Sequence, residues 1–522
     1  MKKLSVLLFA AMLALVFAAG VCLTTPSYTD VKSISQEYLP AVQYVSGKGV
    51  ISGFPDGSFR PMDTLTRAQA AKMICITLEG AEKAELLPEG DGGFSDVPET
   101  NWASKYVAYC AGKKIVAGMG DGRFDPEGQL SSAAFAKMML VAYGHDPEAE
   151  GLVGAQWVEN TQKSLKATGF DKDVGTIKTV AMSRAVACQL VYNFVREEEE
   201  KEQMEKGYPF TTFELTNQQN FRVLGRAVYA QNGLICDFSS SGVEFTLDCA
   251  GTIWATLRVS DAIGTRFRAY VDGKPGEAIT FSSKYPTQPL FSNIEPGVHT
   301  IRVVKDVPAT DVVMTLQSIS VCAKPETIKP TAQRKYYIEC IGDSITSGSG
   351  IYGPGPDNTN SSTSAMAYGV LTADLLNADY SLVCRGGIGL AKKIGGVTMN
   401  ELYDYENYYR DKETKYAFTR KPNAVVIALG ANDKDETGWE DLMKNFISQV
   451  RSRYNDQSLK IVLIYNMMSD RHTEACEKIA KEDPLCWVLK LPQNNDGYGG
   501  HPSANAQLSY AMQLSILLKS IV

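Results

Sequence analysis

Residues 336–349 read YYIECIGDSITSGS, and this stretch decides how the rest of the chain is interpreted. The apolar run from Tyr336 predicts a short buried strand, which Gly342 ends abruptly. Ser344 therefore follows the carboxyl end of a strand at a sharp turn, where a nucleophilic hydroxyl is presented at the ligand-binding edge of an α/β sheet. Gly-Asp-Ser is also ordinary turn chemistry, so the assignment depends on the motifs that follow.

From this stretch to the carboxyl end, predicted strands alternate with predicted helices. This alternation is typical of a three-layer α/β domain with a mainly parallel sheet, and we assign it to residues 335–522. Strands are predicted at 336–341, 380–384, 424–429, 460–465 and 487–490, and helices at 365–376, 439–453, 473–480 and from 503 onward.

Polar groups follow several of these strands. After Ser344 come the glycine-rich turn RGGIG at 385–389, Asn432 within the sequence GAND, and His501 just before the last helix. Of the four histidines, only His501 follows a glycine-rich loop at the end of a predicted strand. A serine, a glycine amide, an asparagine amide and a histidine supply a nucleophile, two oxyanion donors and a general base, which is the set that ester hydrolysis needs.

These motifs, GDSIT, the glycine turn, GAND and HP, resemble SGNH (GDSL-type) hydrolases in the family's order. Together with the strand-rich segment before them, residues 209–522 resemble carbohydrate esterase family two, acetyl esterases that act on plant polysaccharides. The resemblance implies that Ser344 is the nucleophile and His501 the base. It also implies an oxyanion hole made by the Ser344 and Gly387 amides and the Asn432 side chain, with Gly386 as the alternative to Gly387. No metal or cofactor is expected.

One departure from the family concerns the third member of the catalytic triad. SGNH enzymes commonly place an aspartate three residues before the histidine, where this chain has Tyr498. Family two esterases often place it two residues before, where this chain has Gly499. Two arrangements remain open: Asp496 reaches the imidazole, or a backbone carbonyl orients it and the site is a Ser–His dyad.

Other features leave alternatives as well. Trp439 is either a platform for stacking against a sugar or a core tryptophan, and we predict that His472 lies on the surface. The missing aspartate also leaves open an alternative function, that of a wall-anchored glycan-binding protein with a degenerate esterase fold. Within enzymes, the alternatives are a lipase, a thioesterase or an esterase that deacetylates the cell's own wall polymer.

An internal repeat occupies the amino-terminal part of the chain. GFPDGSFRP at 53–61 recurs as GMGDGRFDP at 118–126, and each copy lies between two predicted amphipathic helices. A third, eroded copy carries TGF at 168–170 and MSRA at 182–185. Such units cannot bury a hydrophobic face alone, so they are stable only when stacked.

The repeats resemble S-layer homology repeats, most clearly at LTRAQ, residues 65–69. The resemblance implies a helical module that holds an anionic, often pyruvylated, secondary cell-wall polymer through arginines at helix starts. Arg67 and Arg184 are the candidates, whereas the second copy has Ser132 and no arginine. Alternatively, these arginines only cap helices or pack between repeats. The predicted module is 28–195, with units 28–80, 94–145 and 150–195.

Between the repeats and the hydrolase motifs lie a charged segment and a strand-rich one. Residues 196–208 begin with the charge run REEEEKE and are predicted to form a charged linker, either a solvated helical extension or a spacer. In 209–324 apolar and polar residues alternate at a period of two, and Asp272-Gly273 marks a hairpin turn. This pattern predicts a β-sandwich of jelly-roll-like form. It either binds glycan or buttresses the hydrolase domain, and we favour the buttress.

Length, net charge and the amino-terminal segment limit the possible functions of the chain. A chain of 522 residues is too long for one core, and a net charge of -7 argues against nucleic acid or an anionic membrane as a partner. Residues 1–22 predict a signal peptide, because two lysines precede a short apolar run that ends in small residues. The run is short for a bilayer, so we expect no membrane attachment after cleavage.

The cysteines do not change this picture. The eleven cysteines are scattered without CxxC or zinc-ligand spacing. We predict that most are buried free thiols, with Cys236–Cys249 as the least implausible disulfide. The sequence as a whole predicts a secreted esterase attached to the cell wall or S-layer. It would remove O-acetyl groups from polysaccharide, plant hemicellulose foremost, through an acyl-enzyme on Ser344.

Overall fold

The computed structural model describes residues 28–35, 37–259, 265–283, 286–307, 314–352, 361–406, 414–434 and 437–522. The predicted signal peptide lies outside these residues. The chain divides into two compact units between Lys206 and Gly207. Among the helices of the described ranges, none has the length and hydropathy needed to cross a membrane.

The first unit is helical. The second helix of each repeat starts at a hydroxyl cap: Thr66, Ser131 and Ser183 each accept a hydrogen bond from the backbone N–H three residues later. These caps fix where the second helix of every repeat begins. The helices of the first unit are α1 (Leu39–Gly47), α2 (Arg67–Glu79), α3 (Ala81–Glu85), α4 (Ser104–Gly112), α5 (Ser132–Ala142), α6 (Trp157–Thr168) and α7 (Arg184–Glu205).

Three backbone hydrogen bonds link the three repeats in a closed ring. The N–H of Leu65 donates to the carbonyl of Met182 at 3.0 Å, Met182 donates to Leu130 at 2.8 Å, and Leu130 donates to Leu65 at 2.9 Å. All three side chains are buried. The eroded third copy therefore closes the ring with the other two, although its loop sequence has diverged.

The charge run continues the last helix of this unit. Helix α7 runs without interruption to Glu205. Within the run, the carboxylate of Glu199 accepts a hydrogen bond from the hydroxyl of Tyr44 and forms an ion pair with Lys48. Part of the segment predicted as a solvated linker thus packs against α1.

The amino-terminal part of the second unit is an antiparallel sheet of ten described strands around one hydrophobic core. Its order is β3-β4-β9-β5-β8-β6-β7, with β1 paired to β9 and both β2 and β10 paired to β5. The strands are β1 (Phe210–Glu214), β2 (Arg222–Leu224), β3 (Val228–Ala230), β4 (Gly233–Ile235), β5 (Gly242–Val259), β6 (Thr265–Val271), β7 (Lys274–Phe281), β8 (Thr287–Lys305), β9 (Met314–Ala323) and β10 (Lys329–Pro330).

The carboxyl-terminal part is a parallel sheet with helices on both faces. The sheet order is β12-β11-β13-β14-β15. Its strands are β11 (Tyr336–Gly342), β12 (Ala378–Cys384), β13 (Ala424–Ala428), β14 (Ile461–Tyr465) and β15 (Cys486–Lys490). Its helices are α8 (Tyr368–Leu376), α9 (Met399–Tyr403), α10 (Trp439–Arg453), α11 (Thr473–Glu482) and α12 (Ala504–Ile521).

The position of β11 determines where a ligand site can form. Alternate residues of the strands face two separate cores: Val425 and Ile427 face one, and Val426 faces the other. Strand β11 lies between β12 and β13, so the connection from β11 leads to one side of it, and the chain then crosses back to β13 on the other side. The crevice at the carboxyl end of such a strand is where open α/β sheets bind ligands.

The cysteines are thiols throughout the described ranges. All ten cysteines there are buried and in the thiol form, including Cys236 and Cys249. The structure therefore agrees with the prediction of buried thiols, and the one disulfide that the sequence suggested is not formed.

Candidate active site

The turn after β11 presents Ser344. The residues on either side, Asp343 and Ile345, are buried, whereas Ser344 is partly exposed. Gly342 makes this turn possible, because a Cβ there would lie 1.9 Å from the side-chain oxygen of Thr346. The glycine that ends the predicted strand is thus required by packing.

The structure brings His501 to this serine. The Nε2 atom of His501 lies 2.9 Å from Oγ of Ser344, although 157 positions separate them in the chain. His501 stands between the 3-10 turn Tyr498–Gly500 and helix α12. The serine and histidine predicted from the sequence thus form a hydrogen-bonded pair.

A backbone carbonyl faces the other nitrogen of the imidazole. Nδ1 of His501 lies 3.0 Å from the carbonyl oxygen of Tyr498. Asp496 is exposed, and its carboxylate accepts a hydrogen bond from the side chain of Asn494. Of the two arrangements that the sequence left open, the geometry matches the one with a backbone carbonyl. Since a carbonyl only accepts, Nδ1 carries the hydrogen, and Nε2 of a neutral imidazole is left to accept the serine proton.

Gly350 holds this carbonyl in place. The N–H of Tyr498 donates to the carbonyl of Gly350 at 2.7 Å. Gly350 has a φ of 63°, and a Cβ there would lie 2.3 Å from the Tyr498 oxygen and 2.9 Å from Nδ1 of His501. A side chain at this position would push directly on the pair. Gly350 was missed in the sequence, where its only signal is its closeness to GDSIT.

The oxyanion candidates lie against the nucleophile turn. Gly387 has a φ of 77°, and a Cβ at Gly386 would lie 3.8 Å from Cβ of Ser344. Nδ2 of Asn432 donates to Oδ2 of Asp343 at 3.1 Å and to the carbonyl of Ile388 at 3.0 Å. Both amide hydrogens of Asn432 thus have protein acceptors, so donation to an oxyanion requires one of them to be shared.

Asp433 fixes the loop that follows the glycine turn. Its buried carboxylate accepts hydrogen bonds from the backbone N–H groups of Leu390, Ala391 and Lys392 at 2.8–3.0 Å. It also accepts one from Nε1 of Trp439 at 3.0 Å. The aspartate of GAND therefore ties the end of β13 to the glycine turn, a role that was not assigned from the sequence.

Trp439 and His472 form a buried stack. Trp439 is 1% exposed and His472 is 8% exposed. Their rings are nearly parallel, with centroids 4.1 Å apart, and Nε2 of His472 lies 2.9 Å from the carbonyl oxygen of Asp433. The sugar-stacking interpretation of Trp439 is therefore wrong, and so is the prediction that His472 lies on the surface. Tertiary packing placed both side chains behind the GAND turn.

Asp343 is a buried carboxyl group beside the nucleophile. Burial, reinforced by the charge of Asp433, raises the pKa of Asp343 to about 7, although the N–H of Ile345 donates to it and lowers this pKa. The carboxyl group therefore changes its charge near neutral pH while it accepts a hydrogen bond from Asn432.

We expect the Asp343 carboxyl group to make the second unit less stable as the pH rises from about 4 to about 7. The unfolded chain releases the proton first, whereas the folded chain keeps it up to the raised pKa of Asp343. At about 1.4 kcal/mol per pKa unit, the loss between pH 5 and pH 7 is on the order of 2 kcal/mol. Urea unfolding at both pH values measures it. The loss should disappear in Asp343→Asn and persist in the exposed Asp441→Asn; the same pH dependence in both variants contradicts the assignment.

In the first unit, the predicted polymer-binding arginines contact a neighbouring repeat. Nε and Nη2 of Arg67 donate to the carbonyls of Phe124 and Ala117, both at 2.7 Å. Nε and Nη2 of Arg184 donate to the carbonyls of Phe59 at 3.0 Å and Ser52 at 2.7 Å. Both guanidinium groups therefore pack between repeats.

Ser132 takes the equivalent place in the second repeat. Its hydroxyl accepts a hydrogen bond from the N–H of Lys178 at 2.8 Å, and Lys178 belongs to the third repeat. The three helix starts are thus each bonded to a loop of another repeat, and a hydroxyl serves where the other two have an arginine.

Comparison with known families divides the chain in the same way. Residues 27–71 and 93–136 match the S-layer homology domain. Residues 338–491 match the GDSL-like Lipase/Acylhydrolase family. The family match begins within β11, which carries the nucleophile turn, and extends just past β15.

Relatives of known name fall into two groups. An acetylxylan esterase / glucomannan deacetylase of Cellvibrio japonicus is 28% identical over 279 residues, which are 46% of this chain and 73% of that protein. A surface layer protein of Brevibacillus choshinensis is 27% identical over 152 residues, which are 29% of this chain. The chain spans only 13% of the length of that surface protein.

Solved structures resemble the second unit. A family two carbohydrate esterase from Clostridium thermocellum, in complex with cellohexaose, aligns with a TM-score of 0.50 and 26% identity over 57% of this chain and 98% of its own. A family two carbohydrate esterase from Cellvibrio japonicus aligns with a TM-score of 0.54 over 60% of this chain and 98% of its own. At 18% identity, the latter shows a shared fold.

The fold and these matches agree on a GDSL-type hydrolase domain in the second unit. The chain carries a GDSL-like lipase/acylhydrolase domain with a parallel sheet, preceded by S-layer homology domains, and its structural neighbours are family two carbohydrate esterases. It is a carboxylic ester hydrolase located at the cell surface, attached to the cell wall or S-layer. The resemblances stated from the sequence are confirmed at this level.

Proposed function

We propose that this surface enzyme removes O-acetyl groups from polysaccharide, plant hemicellulose foremost, through an acyl-enzyme on Ser344. The observation that carries the proposal is the 2.9 Å contact between Nε2 of His501 and Oγ of Ser344 at the carboxyl edge of the parallel sheet. The relative that acts on acetylxylan and glucomannan and the neighbour that holds cellohexaose support a carbohydrate substrate.

In this mechanism His501 accepts the hydroxyl proton as Oγ of Ser344 attacks the acetyl carbonyl. The amides of Ser344 and Gly387 and the side chain of Asn432 stabilise the oxyanion. When the intermediate collapses, the imidazolium returns its proton to the departing sugar oxygen, and an acetyl-serine remains. Water then attacks the ester while His501 accepts its proton; acetate leaves, and the imidazolium returns this proton to Oγ of Ser344. The Tyr498 carbonyl keeps the imidazole in the required tautomer throughout.

Acetate release tests this function. Acetylated xylan, acetylated mannan and O-acetylated peptidoglycan are compared at equal acetyl content, together with aryl esters of increasing acyl length. We expect release from xylan or mannan to be at least about tenfold faster than from peptidoglycan, with acetyl esters preferred over longer ones.

Other results of the acetate-release comparison would support a different function. Faster release from peptidoglycan identifies the cell's own wall as the substrate. A preference for longer acyl chains identifies a lipase or thioesterase. Binding to xylan without hydrolysis of an activated acetyl ester identifies a glycan-binding protein with a degenerate site.

We further propose a domain organisation for the chain. Residues 28–195 form three S-layer homology repeats in one helical module, 196–208 a charged linker that begins as a continuation of the last helix, 209–324 a jelly-roll-like sandwich and 335–522 the hydrolase domain. The closed ring of bonds among Leu65, Leu130 and Met182 supports three repeats in the first module. The core common to β1–β9 supports the sandwich.

The first module is proposed to bind an anionic secondary cell-wall polymer through Arg67 and Arg184. Among the described residues, Nη1 of neither guanidinium has an acceptor, and Arg67 is the less buried of the two. A carboxylate or pyruvyl group is the ligand that suits a guanidinium at a helix start.

Sedimentation with purified cell wall checks this binding. We expect Arg67→Ala with Arg184→Ala to reduce the bound fraction at least about tenfold, because two charge-assisted contacts are lost. The exposed Arg123→Ala, whose guanidinium pairs only with Asp121 among the described residues, should bind like the parent. Circular dichroism verifies that the double variant is folded. Undiminished binding by the folded double variant excludes the two arginines as the anchor.

A further inference from the structure

A buried aspartate of the antiparallel part reaches into the hydrolase part. Asp306 directly follows β8 and is 0% exposed. Its Oδ1 accepts hydrogen bonds from Oγ1 of Thr363 at 2.6 Å and from the N–H of Ala365 at 3.0 Å. Its Oδ2 accepts from Nε of Arg268 at 2.8 Å. One carboxylate therefore joins a strand of the sandwich to the segment before α8.

Two neighbouring groups of the same strands reinforce this connection. Nη2 of Arg266 donates to the carbonyl of Ser362. The hydroxyl of Ser364 donates to the carbonyl of Lys305 at 3.0 Å. Residues 362–365 are thus fixed by three residues of the antiparallel part, and all three of those residues are buried.

The same segment supports the loop after the nucleophile. The N–H of Thr363 donates to the carbonyl of Gly348 at 3.0 Å. The N–H of Gly350 donates to Oγ of Ser362 at 2.9 Å. Both glycines have positive φ, and a Cβ at Gly348 would lie 2.2 Å from the Thr363 oxygen. The backbone at 348–350 is therefore held by 362 and 363 at close range.

We propose that Asp306 is a positioning residue for the Ser344–His501 pair. It fixes Thr363, which fixes the glycine loop on which Tyr498 rests, and the Tyr498 carbonyl orients His501. This inference rests on the proposed function of that pair. The sandwich then completes the active site, because it supplies the rigidity that an aspartate next to the imidazole provides in a triad.

The chemistry explains why a carboxylate occupies this position. The Tyr498 carbonyl belongs to a turn with two glycines, Gly499 and Gly500, so the turn has little stiffness of its own. A buried carboxylate can accept several hydrogen bonds at once and is strongly held by a guanidinium such as that of Arg268. Small displacements of a general base slow the reaction by large factors, so a rigid support for His501 increases the rate.

Thr363→Val in the full chain is the first test, because it removes one hydroxyl and leaves the Asp306–Arg268 pair intact. We expect kcat for an acetyl aryl ester to fall about tenfold and KM to stay within about twofold. Asp306→Asn should show the same pattern with a larger loss of kcat. Asp272→Asn, on a hairpin of the same sandwich, should behave like the parent.

Labelling of the serine by a fluorophosphonate separates positioning from instability. A positioning role slows the rate of labelling in Thr363→Val while the whole of the enzyme still reacts; a stability role lowers the reactive fraction and leaves the rate unchanged. The second result overturns the inference, as does an unchanged kcat in Thr363→Val. If the parent itself neither labels nor hydrolyses the ester, the proposed function fails instead.

Discussion

Replacement of Ser344 by alanine is expected to lower kcat for an acetyl aryl ester by about four orders of magnitude or more. In the proposed mechanism the hydroxyl oxygen forms the acyl-enzyme, and it lies 2.9 Å from Nε2 of His501, the proposed base. Without it, neither the attack nor the proton transfer has a substitute in the described site. Initial rates at saturating ester measure the effect, with His501→Ala expected to show a comparable loss.

Two further variants sharpen this test. Ser509→Ala changes an exposed serine of α12 and should leave kcat unchanged. Asp496→Asn should also retain the parental kcat, because the imidazole faces the Tyr498 carbonyl. More than about 1% of parental turnover in Ser344→Ala contradicts the acyl-enzyme, since the removal of a true nucleophile leaves far less.

Replacement of Arg226 by methionine is expected to destabilise the second unit by about 3–5 kcal/mol. Arg226 is 1% exposed, and its Nη2 donates to the fully buried Glu339 at 3.2 Å. Its guanidinium also lies 4.1 Å from the ring centre of Tyr416. Burial alone would lower the pKa of Arg226, but Glu339 and the neighbouring tyrosines together outweigh this effect, so the pKa is raised and the charge persists. Methionine fills the space and leaves the carboxylate without its cation.

Urea unfolding of the parent and the variants measures this loss, and the second unit is followed by its ester hydrolysis. Arg258→Met, at an exposed position of β5, should stay within about 0.5 kcal/mol of the parent. The double variant Arg226→Met with Glu339→Gln should be more stable than the sum of the single effects, because no unpaired charge remains. If Arg226→Met alone unfolds like the parent, the Arg226–Glu339 ion pair makes no net contribution to the free energy of unfolding.

The sequence was sufficient to bring together those groups of the candidate site that are side chains at strand ends. Ser344 and His501 could be predicted because parallel strands bring their carboxyl ends to one edge. What could not be predicted were the backbone partners: the carbonyl of Tyr498 has no sequence signature, and Gly350 is one glycine among 44. Trp439 was ambiguous for a related reason, since a helix start is exposed or buried according to what packs on it.

The strands of the antiparallel part show a different limit. Alternation at 243–249 and again at 253–259 is by itself typical of two separate strands, whereas β5 runs from Gly242 to Val259 with register shifts near Gly251. A bulge breaks the two-residue period without ending the strand, so the sequence pattern shows an interruption where the hydrogen-bonded ladder continues. The hairpin at Asp272-Gly273 was predicted correctly, because its turn chemistry is local.

The ring of backbone bonds among the three repeats bears on how such a module diverges. A linear stack of repeats exposes an apolar face at each extremity and needs dedicated terminal units to cover it. A cyclic trimer within one chain has no extremities, because every unit is flanked twice. A repeat can then lose its loop signature, as the third one has, or its arginine, as the second one has, while contacts from both sides preserve its conformation.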